Sequence, residues 1–226
     1  MIMDQKLLIP GAIILAGAII AGAVWYSRMP APGGGEARPD AGRPADVADA
    51  LKIQKDDFVS GNPAAKIVLI EYGDFQCPFC GRFFKTTEQE IKEKYIKSGE
   101  AVFVWRDFAF LGEESFRSAE AARCAGEQGK FWEYHDYLFN NQKGENEGAF
   151  SDQNLKRFAK EIKLDEAKFN SCLDSGKYRK AVEATSDAGK SVGVSGTPAT
   201  FVNGKMVSGA QPFSVFQKVI EETLKK

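Results

Sequence analysis

Two nearly continuous apolar runs, separated by a segment of mixed character, mark one part of the chain. AKIVLIEY (65–72) and AVFVWRDFAF (101–110) are rich in β-branched and aromatic residues, a pattern typical of buried strands. Between them, residues 83–98 combine many Glu and Lys residues with spaced apolar ones, which predicts a helix that ends near Gly99. The order of strand, helix and strand predicts a βαβ unit.

The apolar spacing changes in the second half of the chain. From about 113 to 193, apolar residues recur mostly every three or four positions, which predicts a block of helices. Strand patterns return in PATFVNG (198–204) and KMVSGA (205–210), and the Asn-Gly pair at their junction favours a hairpin. Residues 213–226 predict a final helix. The predicted fold class is therefore α/β, with a βαβ half, a helical insertion and a ββα half.

Residues 7–26, LLIPGAIILAGAIIAGAVWY, form an uncharged apolar run near the start of the chain. About 20 such residues match the thickness of a hydrocarbon core, so an uncleaved single-pass transmembrane anchor is predicted. A cleaved signal peptide is the alternative, because Ala21-Gly22-Ala23 has the small-x-small pattern of a cleavage site. Either interpretation directs the chain to a membrane.

The segments on either side of this run have distinct predicted roles. Residues 1–6 are expected to remain in the cytoplasm as a short N-terminus. Residues 27–50 are rich in proline and glycine and lack apolar periodicity, which is typical of a linker. Residues 51–226 then hold the folded domain, with its helical insertion at about 113–193.

Composition and charge exclude several classes of function. The chain has 226 residues, with 30 Lys and Arg residues against 31 Asp and Glu residues. This balance gives no support to nucleic-acid binding, which needs a basic surface. The single histidine, His135, excludes metal sites built from several imidazoles, and no metal ion is predicted.

The stretch DFQCPFCGRFF (74–84) contains Cys77 and Cys80, separated by Pro78 and Phe79. This CxxC spacing occurs in redox-active dithiols, in halves of zinc sites and in small structural disulfides. A structural zinc ion needs four ligands, and the other two cysteines lie 44 and 92 residues beyond Cys80. A disulfide that closes so small a loop removes little chain entropy. The redox interpretation is therefore favoured.

The predicted place of the pair at a helix start also favours redox chemistry. Pro78 suits the first helical position, because its missing N–H has no intrahelical partner there. The positive end of the helix dipole and the unpaired N–H groups favour a thiolate at Cys77. We expect Cys77 to be the exposed sulfur that is open to attack and Cys80 to be the buried resolving thiol.

Two further features accompany the CxxC motif. Glu71 lies six residues before Cys77, in the first predicted strand, and Thr197-Pro198 directly precedes a later strand. Together they resemble the thioredoxin superfamily, which has an acid in the central strand, a CxxC motif opening the next helix, and a cis-proline loop facing it. The helical block between the halves resembles the DsbA-like branch of thiol:disulfide oxidoreductases. The resemblance covers roughly 58–226 and includes YGDFQCPFC, CAGEQGKFWEYHD, FNSCLDSGKY and GTPATFVNG.

The resemblance implies a thioredoxin fold and a role for each residue of the site. Cys77 is the nucleophile and Cys80 the resolving cysteine of a redox-active disulfide, and no bound cofactor is expected. Glu71 is a buried acid that relays protons to or from Cys80. Thr197 and Pro198, joined by a cis peptide bond, pack against the disulfide and pair with a substrate peptide.

The residues between the two cysteines are also expected to contact the substrate. Strongly oxidising members of the DsbA-like branch often carry a histidine at the position of Phe79, where it stabilises the thiolate. The Phe79 side chain donates no hydrogen bond to a thiolate, so the resemblance implies a weaker oxidant. Pro78 is expected to contact the substrate beside it. Of the aromatic residues that follow, Phe83 or Phe84 is expected to be mostly buried.

Cys124 and Cys172 lie in two different predicted helices of the insertion. They are either two buried apolar thiols or a structural disulfide, as in some DsbA-like proteins, and export favours the disulfide. Neither is expected to be catalytic. His135 is expected to pack in a helix or lie on its surface, and not to act as a base.

The resemblance implies an enzyme that introduces disulfides into exported proteins. Its expected partners are reduced or unfolded exported proteins and a quinone-linked membrane reoxidase of the DsbB or VKOR type. The domain is expected to be monomeric and extracytoplasmic, tethered to the membrane with the N-terminus inside. A reductase or isomerase of the same fold is one alternative, and a metal-delivery or assembly module is another.

Overall fold

A five-stranded sheet forms the centre of the computed structural model, which describes residues 48–225. The strands are β1 (Phe58–Gly61), β2 (Ile67–Gly73), β3 (Ala101–Asp107), β4 (Ala199–Val202) and β5 (Lys205–Ser208). Their order across the sheet is β1-β3-β2-β4-β5. β2 and β3 are parallel, and the other neighbouring pairs are antiparallel. This mixed sheet agrees with the predicted α/β class.

The two central strands follow the predicted apolar runs, with shifted ends. β2 and β3 are almost completely buried, because both faces of the sheet are covered. β3 ends at Asp107 and not at residue 110 as predicted. The backbone N–H groups of Phe110 and Leu111 donate to the Asp74 carboxylate instead of extending the strand. β1, which the sequence pattern does not reveal, adds a short antiparallel edge beside β3.

The helix after β2 begins at Pro78, as predicted from the CxxC motif, and before residue 83, where the helical apolar pattern begins. α1 (Pro78–Phe83) starts inside the CxxC motif, and the chain remains helical from Pro78 to Ile96. The continuation consists of a π-helical turn (Phe84–Glu88), an α-helical turn (Gln89–Ile91) and a second π-helical turn (Lys92–Ile96). The whole segment from Pro78 to Ile96 is named the CxxC helix below.

Helices form the insertion between β3 and β4, as predicted. They are α2 (Glu113–Gly126), α3 (Phe131–Asn140), α4 (Asp152–Glu161), α5 (Glu166–Asp174) and α6 (Arg179–Ser191). The apolar faces of α2 to α5 meet in a core that includes Tyr134, Leu138, Phe158 and Phe169. A last helix, α7 (Phe213–Leu224), follows β5.

The sheet separates two apolar layers. On one face, Leu69 of β2 packs with Phe83 of the CxxC helix and Phe216 of α7. On the other face, Val104 and Phe201 belong to a second cluster, beside α6. The carboxyl end of β2 therefore lies between two packed layers, and the chain passes from it directly into the CxxC motif.

The predicted N-terminus (1–6), the anchor or signal segment (7–26) and most of the linker (27–50) lie outside the described residues. Within residues 48–225, no helix combines the length and the apolar character needed to cross a bilayer.

Candidate active site

The turn between β2 and the CxxC helix positions both cysteines. Cys77 is the N-cap residue of α1, and Pro78 occupies the start of the helix, as the sequence predicts. Cys80 lies in the first turn and is completely buried. Both thiols are free in the described part of the chain.

The expectation that Cys77 is exposed is wrong, because only 4% of its surface is accessible. The loop of Thr197 and Pro198, joined by the predicted cis peptide bond, lies against it. Cys77 Sγ is 3.4 Å from the carbonyl oxygen of Thr197, close enough for the thiol to donate a hydrogen bond. The sulfur is therefore covered by the loop that the resemblance assigns to substrate binding.

The Cys77 thiol is more acidic than an ordinary cysteine. A hydrogen bond from the Cys80 thiol, together with the backbone N–H groups of Phe79 and Cys80, lowers the pKa of Cys77 from 9.0 to about 6, although burial opposes this shift. These N–H groups are the unpaired donors at the start of a helix. Because the thiolate is the nucleophilic form of cysteine, this environment prepares Cys77 for thiol–disulfide exchange.

Cys80 has the opposite environment. Burial, the hydrogen bond to Cys77 and the charge of Glu71 all raise the pKa of Cys80 well above 9.0. Glu71 is buried in β2, as predicted, between Trp105 of β3 and Thr200 of β4 in the sheet register. Burial raises the pKa of Glu71 well above 4.5, so the carboxyl favours its protonated form. A thiol and an acid that both hold protons are thus neighbours beneath Cys77.

These opposed environments predict different alkylation profiles for the two thiols. In the reduced protein, Cys77 is expected to react with iodoacetamide with a midpoint near its pKa of about 6. Cys80 is expected to remain unmodified up to a pH above 9.0, because its pKa is raised and its sulfur is buried. Mass spectrometry of the alkylated peptides at a series of pH values measures both profiles.

The same shift predicts how pH affects the stability of the reduced protein. Because the pKa of Cys77 falls from 9.0 to about 6 on folding, its thiolate stabilises the folded state fully above 9.0. That stabilisation is lost as the pH falls through about 6.

For the alkylation profiles, the urea-unfolded chain is the control, and both of its cysteines should react like ordinary thiols. A midpoint near 9.0 for Cys77 in the folded protein contradicts the prediction.

A buried polar network holds the chain just before the CxxC motif. Asp74 accepts hydrogen bonds from the backbone N–H groups of Gln76 and Phe110 and from the Ser115 hydroxyl. The Gln76 side chain donates to Ser115 and accepts from the backbone N–H of Asn146. Burial raises the pKa of Asp74, although these donors oppose the shift. The network connects the end of β2 to α2 and to the loop before α4.

Gln142, in the loop after α3, holds the CxxC turn from the side of the insertion. Its side-chain amide donates to the carbonyl oxygens of Phe75 and Cys77, at 2.8 Å each. Gly81 lies directly against Gln142, and a Cβ atom at that position collides with the amide oxygen. A larger residue at this position therefore requires the Gln142 amide to move away from the two carbonyl oxygens that it holds.

Phe79 is the exposed aromatic residue of the motif, with 53% of its surface accessible. The Arg82 guanidinium lies 5.1 Å from the centre of its ring, a cation–π distance. Phe75, Phe83 and Phe84 are buried, so the expectation that Phe83 or Phe84 is buried is confirmed for both. Phe79 is thus the aromatic side chain of this stretch that is available to a substrate.

Cys124 of α2 and Cys172 of α5 form a disulfide, the pairing that the resemblance favours. It links two helices of the insertion. His135 is buried in α3 among aromatic rings, with its ring centre 4.8 Å from that of Trp105. The prediction that His135 packs in a helix is confirmed.

Sequence reasoning misses three residues that shape the site: Asp74, Glu88 and Gln142. Asp74 carries a usable signal, because an aspartate just after a strand often accepts hydrogen bonds from a turn. Gln142 lies in the polar stretch NNQKGENEG, where nothing distinguishes it from a solvated loop residue. Glu88 lies in a helix rich in Glu and Lys and is nevertheless completely buried.

An acidic thiol at a helix start, a buried second thiol one turn later and a cis-proline loop against the first form the arrangement in which thioredoxin-fold enzymes exchange disulfides. The helical insertion is the feature that distinguishes the DsbA-like class among them. The chain belongs to the thioredoxin family whose profile matches residues 54–222.

Similar proteins agree with this assignment. The chain is 31% identical over 170 residues to the probable disulfide bond formation protein D of Bacillus cereus, covering 74% of this chain and 78% of that protein. Oxidised BdbD from Bacillus subtilis has a similar structure, with a TM-score of 0.73, 25% identity, and coverage of 78% of this chain and 97% of that chain. Wolbachia pipientis α-DsbA1, with a TM-score of 0.71 and 23% identity over 78% of this chain and 95% of its own, supports the fold. The chain is therefore a DsbA-like thiol:disulfide oxidoreductase.

Proposed function

We propose that this enzyme is an extracytoplasmic oxidase that introduces disulfides into exported proteins through Cys77 and Cys80. The observation that carries the proposal is the lowering of the Cys77 pKa to about 6. A stabilised thiolate stabilises the reduced enzyme, which makes its disulfide a stronger oxidant. The disulfide between Cys124 and Cys172 supports an oxidising compartment.

The proposed reaction transfers two electrons from the substrate to the enzyme. A substrate thiolate attacks the Cys77 sulfur of the Cys77–Cys80 disulfide, the S–S bond breaks, and Cys80 leaves and takes up a proton. The product is a mixed disulfide between the substrate and Cys77. A second substrate thiolate then attacks the substrate sulfur and releases Cys77 as a thiolate. Glu71 is proposed to supply the proton to Cys80, because both groups are buried and their charges interact.

The residues around the cysteines are proposed to hold the substrate chain. The backbone of Thr197, next to Pro198, lies against the Cys77 sulfur and offers hydrogen-bonding groups to a peptide beside it. Phe79 offers an exposed apolar surface in the same motif, and Pro78 begins the helix beside it. Such a site recognises backbone and apolar surface, which suits unfolded chains of varied sequence.

Reoxidation of the reduced enzyme needs an electron acceptor. We propose a quinone-linked membrane protein of the DsbB or VKOR type, with the enzyme held beside it by the apolar segment 7–26. The domain is proposed to lie on the extracytoplasmic side, and the exchange itself is proposed to need no bound cofactor. The domain is proposed to act as a monomer.

The reduction potential of the Cys77–Cys80 pair tests the proposal. The protein is equilibrated with glutathione buffers, and the fraction of the pair that is oxidised is measured by mass spectrometry after alkylation. An oxidase is expected to have a potential clearly higher than that of thioredoxin, which is about −270 mV. A value close to that of thioredoxin overturns the oxidase proposal and favours a reductase.

A reductase or isomerase is the second candidate, and Phe79 is the observation that favours it. Its exposed ring contains no group that donates a hydrogen bond to the Cys77 thiolate, and a less stabilised thiolate makes a weaker oxidant. Replacing Phe79 with histidine tests whether the missing donor weakens the oxidant, because the new donor is expected to raise the reduction potential of the Cys77–Cys80 pair.

A further inference from the structure

The proposed exchange leaves the path of one proton undetermined. Cys80 takes up a proton when it leaves the disulfide and releases one when it attacks a mixed disulfide. Its sulfur is completely buried, and so is the nearby Glu71 carboxyl. Neither group can exchange a proton with water directly, so the proton must pass through other residues or through a local opening.

A row of side chains along the CxxC helix leads from Cys80 towards the surface. Cys80, Phe84, Glu88 and Lys92 recur every four residues on its inner side, and the first three are buried. The Lys92 ammonium lies 5.8 Å from the centre of the Phe84 ring and 2.7 Å from Glu88 Oε1. Only Lys92 in this row has an accessible side chain, so the row runs from the buried thiol to a residue at the surface.

Glu88 and two residues of α3 form a compact ionisable cluster. The ligand-type atoms of Glu88, His135 and Asp136 all lie within 4.8 Å of one another. His135 Nδ1 is 2.9 Å from Asp136 Oδ1, and Lys92 Nζ is 3.7 Å from the same oxygen. The Asp136 side chain is 45% exposed. The cluster therefore begins at a buried carboxylate and ends in water.

Glu71, beside Cys80, and Glu88, in the cluster with His135 and Asp136, interact through their charges. After burial, the negative charge of Glu88 is the largest cause that raises the pKa of Glu71, so the two carboxyls are electrostatic neighbours. Across residues 48–225, Glu71 Oε2, Glu88 Oε2 and His135 Nε2 are buried without a hydrogen-bond partner. Buried polar atoms are normally paired, so this concentration of unpaired atoms behind the active site needs an explanation.

A bound cation is one explanation, and the geometry argues against it. The Lys92 ammonium already lies between the carboxylates of Glu88 and Asp136 and supplies the positive charge that a metal ion would bring. The charges of Glu88 and Asp136 raise the pKa of Lys92 although burial opposes them, so the ammonium is retained. Proton transfer accounts for the cluster without displacing Lys92.

We propose that Glu88, together with Lys92, His135 and Asp136, forms the outer part of a proton route that starts at Cys80 and Glu71. The proposal rests on the proposed function of the cysteine pair. When Cys80 attacks the Cys77 sulfur of a mixed disulfide, the protonated Glu71 first passes its proton to Glu88 and the cluster at the surface. The resulting Glu71 carboxylate then takes up the proton of Cys80. The new S–S bond joins Cys77 and Cys80. The bond between Cys77 and the substrate sulfur breaks, and the substrate leaves as a thiolate with the two electrons of that bond.

The test measures the step in which Cys80 acts. Reduced full-length enzyme is mixed with oxidised glutathione; Cys77 forms a mixed disulfide, and Cys80 then displaces the second glutathione. The rate of that displacement is recorded against pH for the wild type, Glu88→Gln and Asp136→Asn. Glu90→Gln is the matched control, because Glu90 is an exposed carboxylate on the same helix. Alkylation of Cys77 at each pH reports whether the front of the site is unchanged.

Glu88→Gln is expected to slow the displacement by up to about 100-fold, because it removes a group that accepts and donates protons. In this variant the displacement rate is expected to rise at a lower pH than in the wild type, because Glu71 loses the neighbouring negative charge that raises its pKa. The titratable groups facing Glu88 in the described chain are Glu71 of β2, Lys92 of the same helix, and His135 and Asp136 of α3. Asp136→Asn is expected to slow the step by a smaller factor than Glu88→Gln, and Glu90→Gln to leave it unchanged.

If the pH profile of the displacement rate is unchanged in Glu88→Gln, the proposed route is overturned. If Cys77 alkylation slows by the same factor as the displacement, the route is also overturned, because that result indicates a general distortion of the site. If Glu88→Gln does not fold, Asp136→Asn decides, because its side chain lies at the surface, and an unchanged rate there also overturns the proposal. The proposed function has its own contradicting outcome: Cys80 of the wild-type enzyme displaces no glutathione from Cys77.

Discussion

Replacing Cys80 with serine is expected to leave the enzyme covalently joined to its substrate through Cys77. The Cys77 thiolate, with its pKa lowered to about 6, can still attack a disulfide such as oxidised glutathione. The hydroxyl of serine does not displace the resulting mixed disulfide, so the adduct accumulates. Turnover is expected to fall by about three orders of magnitude or more, as when a covalent catalyst loses one of its reacting groups. Intact-mass measurement without reductant detects the adduct.

A variant that lacks Cys77 shows which of the two sulfurs reacts first. Cys77→Ser is expected to lose turnover equally and to form no adduct, because Cys80 is buried and its pKa lies well above 9.0. The double variant Cys77→Ser/Cys80→Ser serves as the blank for both measurements. An adduct on Cys80 in the Cys77→Ser variant contradicts the assigned order of attack.

Loss of the disulfide between Cys124 and Cys172 is expected to destabilise the folded protein by about 4 kcal/mol. The bond joins positions 48 residues apart in sequence, and the estimate follows from the chain entropy that a loop of this length removes from the unfolded state. Both sulfurs are buried in the insertion, so their packing also depends on the bond. Urea unfolding of the double variant Cys124→Ala/Cys172→Ala measures the change.

A cleaner comparison keeps the same chain in both states. In a Cys77→Ala/Cys80→Ala background, the remaining bond is the one between Cys124 and Cys172, so a reducing agent acts on it alone. The oxidised and reduced forms of this variant then differ by a single disulfide. A difference below about 1 kcal/mol shows that the reduced insertion packs equally well and contradicts the estimate.

Local patterns in the sequence predict the layout of the fold well. The apolar runs locate β2 and β3, and the Asn203-Gly204 pair locates the hairpin of β4 and β5, because these signals depend on neighbouring residues. The edge strand β1 and the early end of β3 are not predictable in this way. They depend on contacts with distant residues, such as the donation of Phe110 N–H to Asp74.

The candidate site divides in the same way. The CxxC motif and the burial of Glu71 follow from a short motif and an apolar strand, and the cis bond before Pro198 follows from the resemblance to the thioredoxin superfamily. The burial of Cys77 is not predictable, because it depends on how closely a loop from another part of the chain approaches the helix. The burial of Glu88 depends on the packing of α3 against the CxxC helix, which no local pattern in the sequence expresses.

The hydrogen bonds from Gln142 to Phe75 and Cys77 have a consequence for the evolution and engineering of this enzyme. The insertion and the thioredoxin half are not interchangeable modules, because one supplies the amide that holds the reactive turn of the other. A chimera that receives an insertion from a relative needs an equivalent amide at that place, and a host helix with glycine at the position of Gly81. The two positions are therefore expected to vary together among related enzymes.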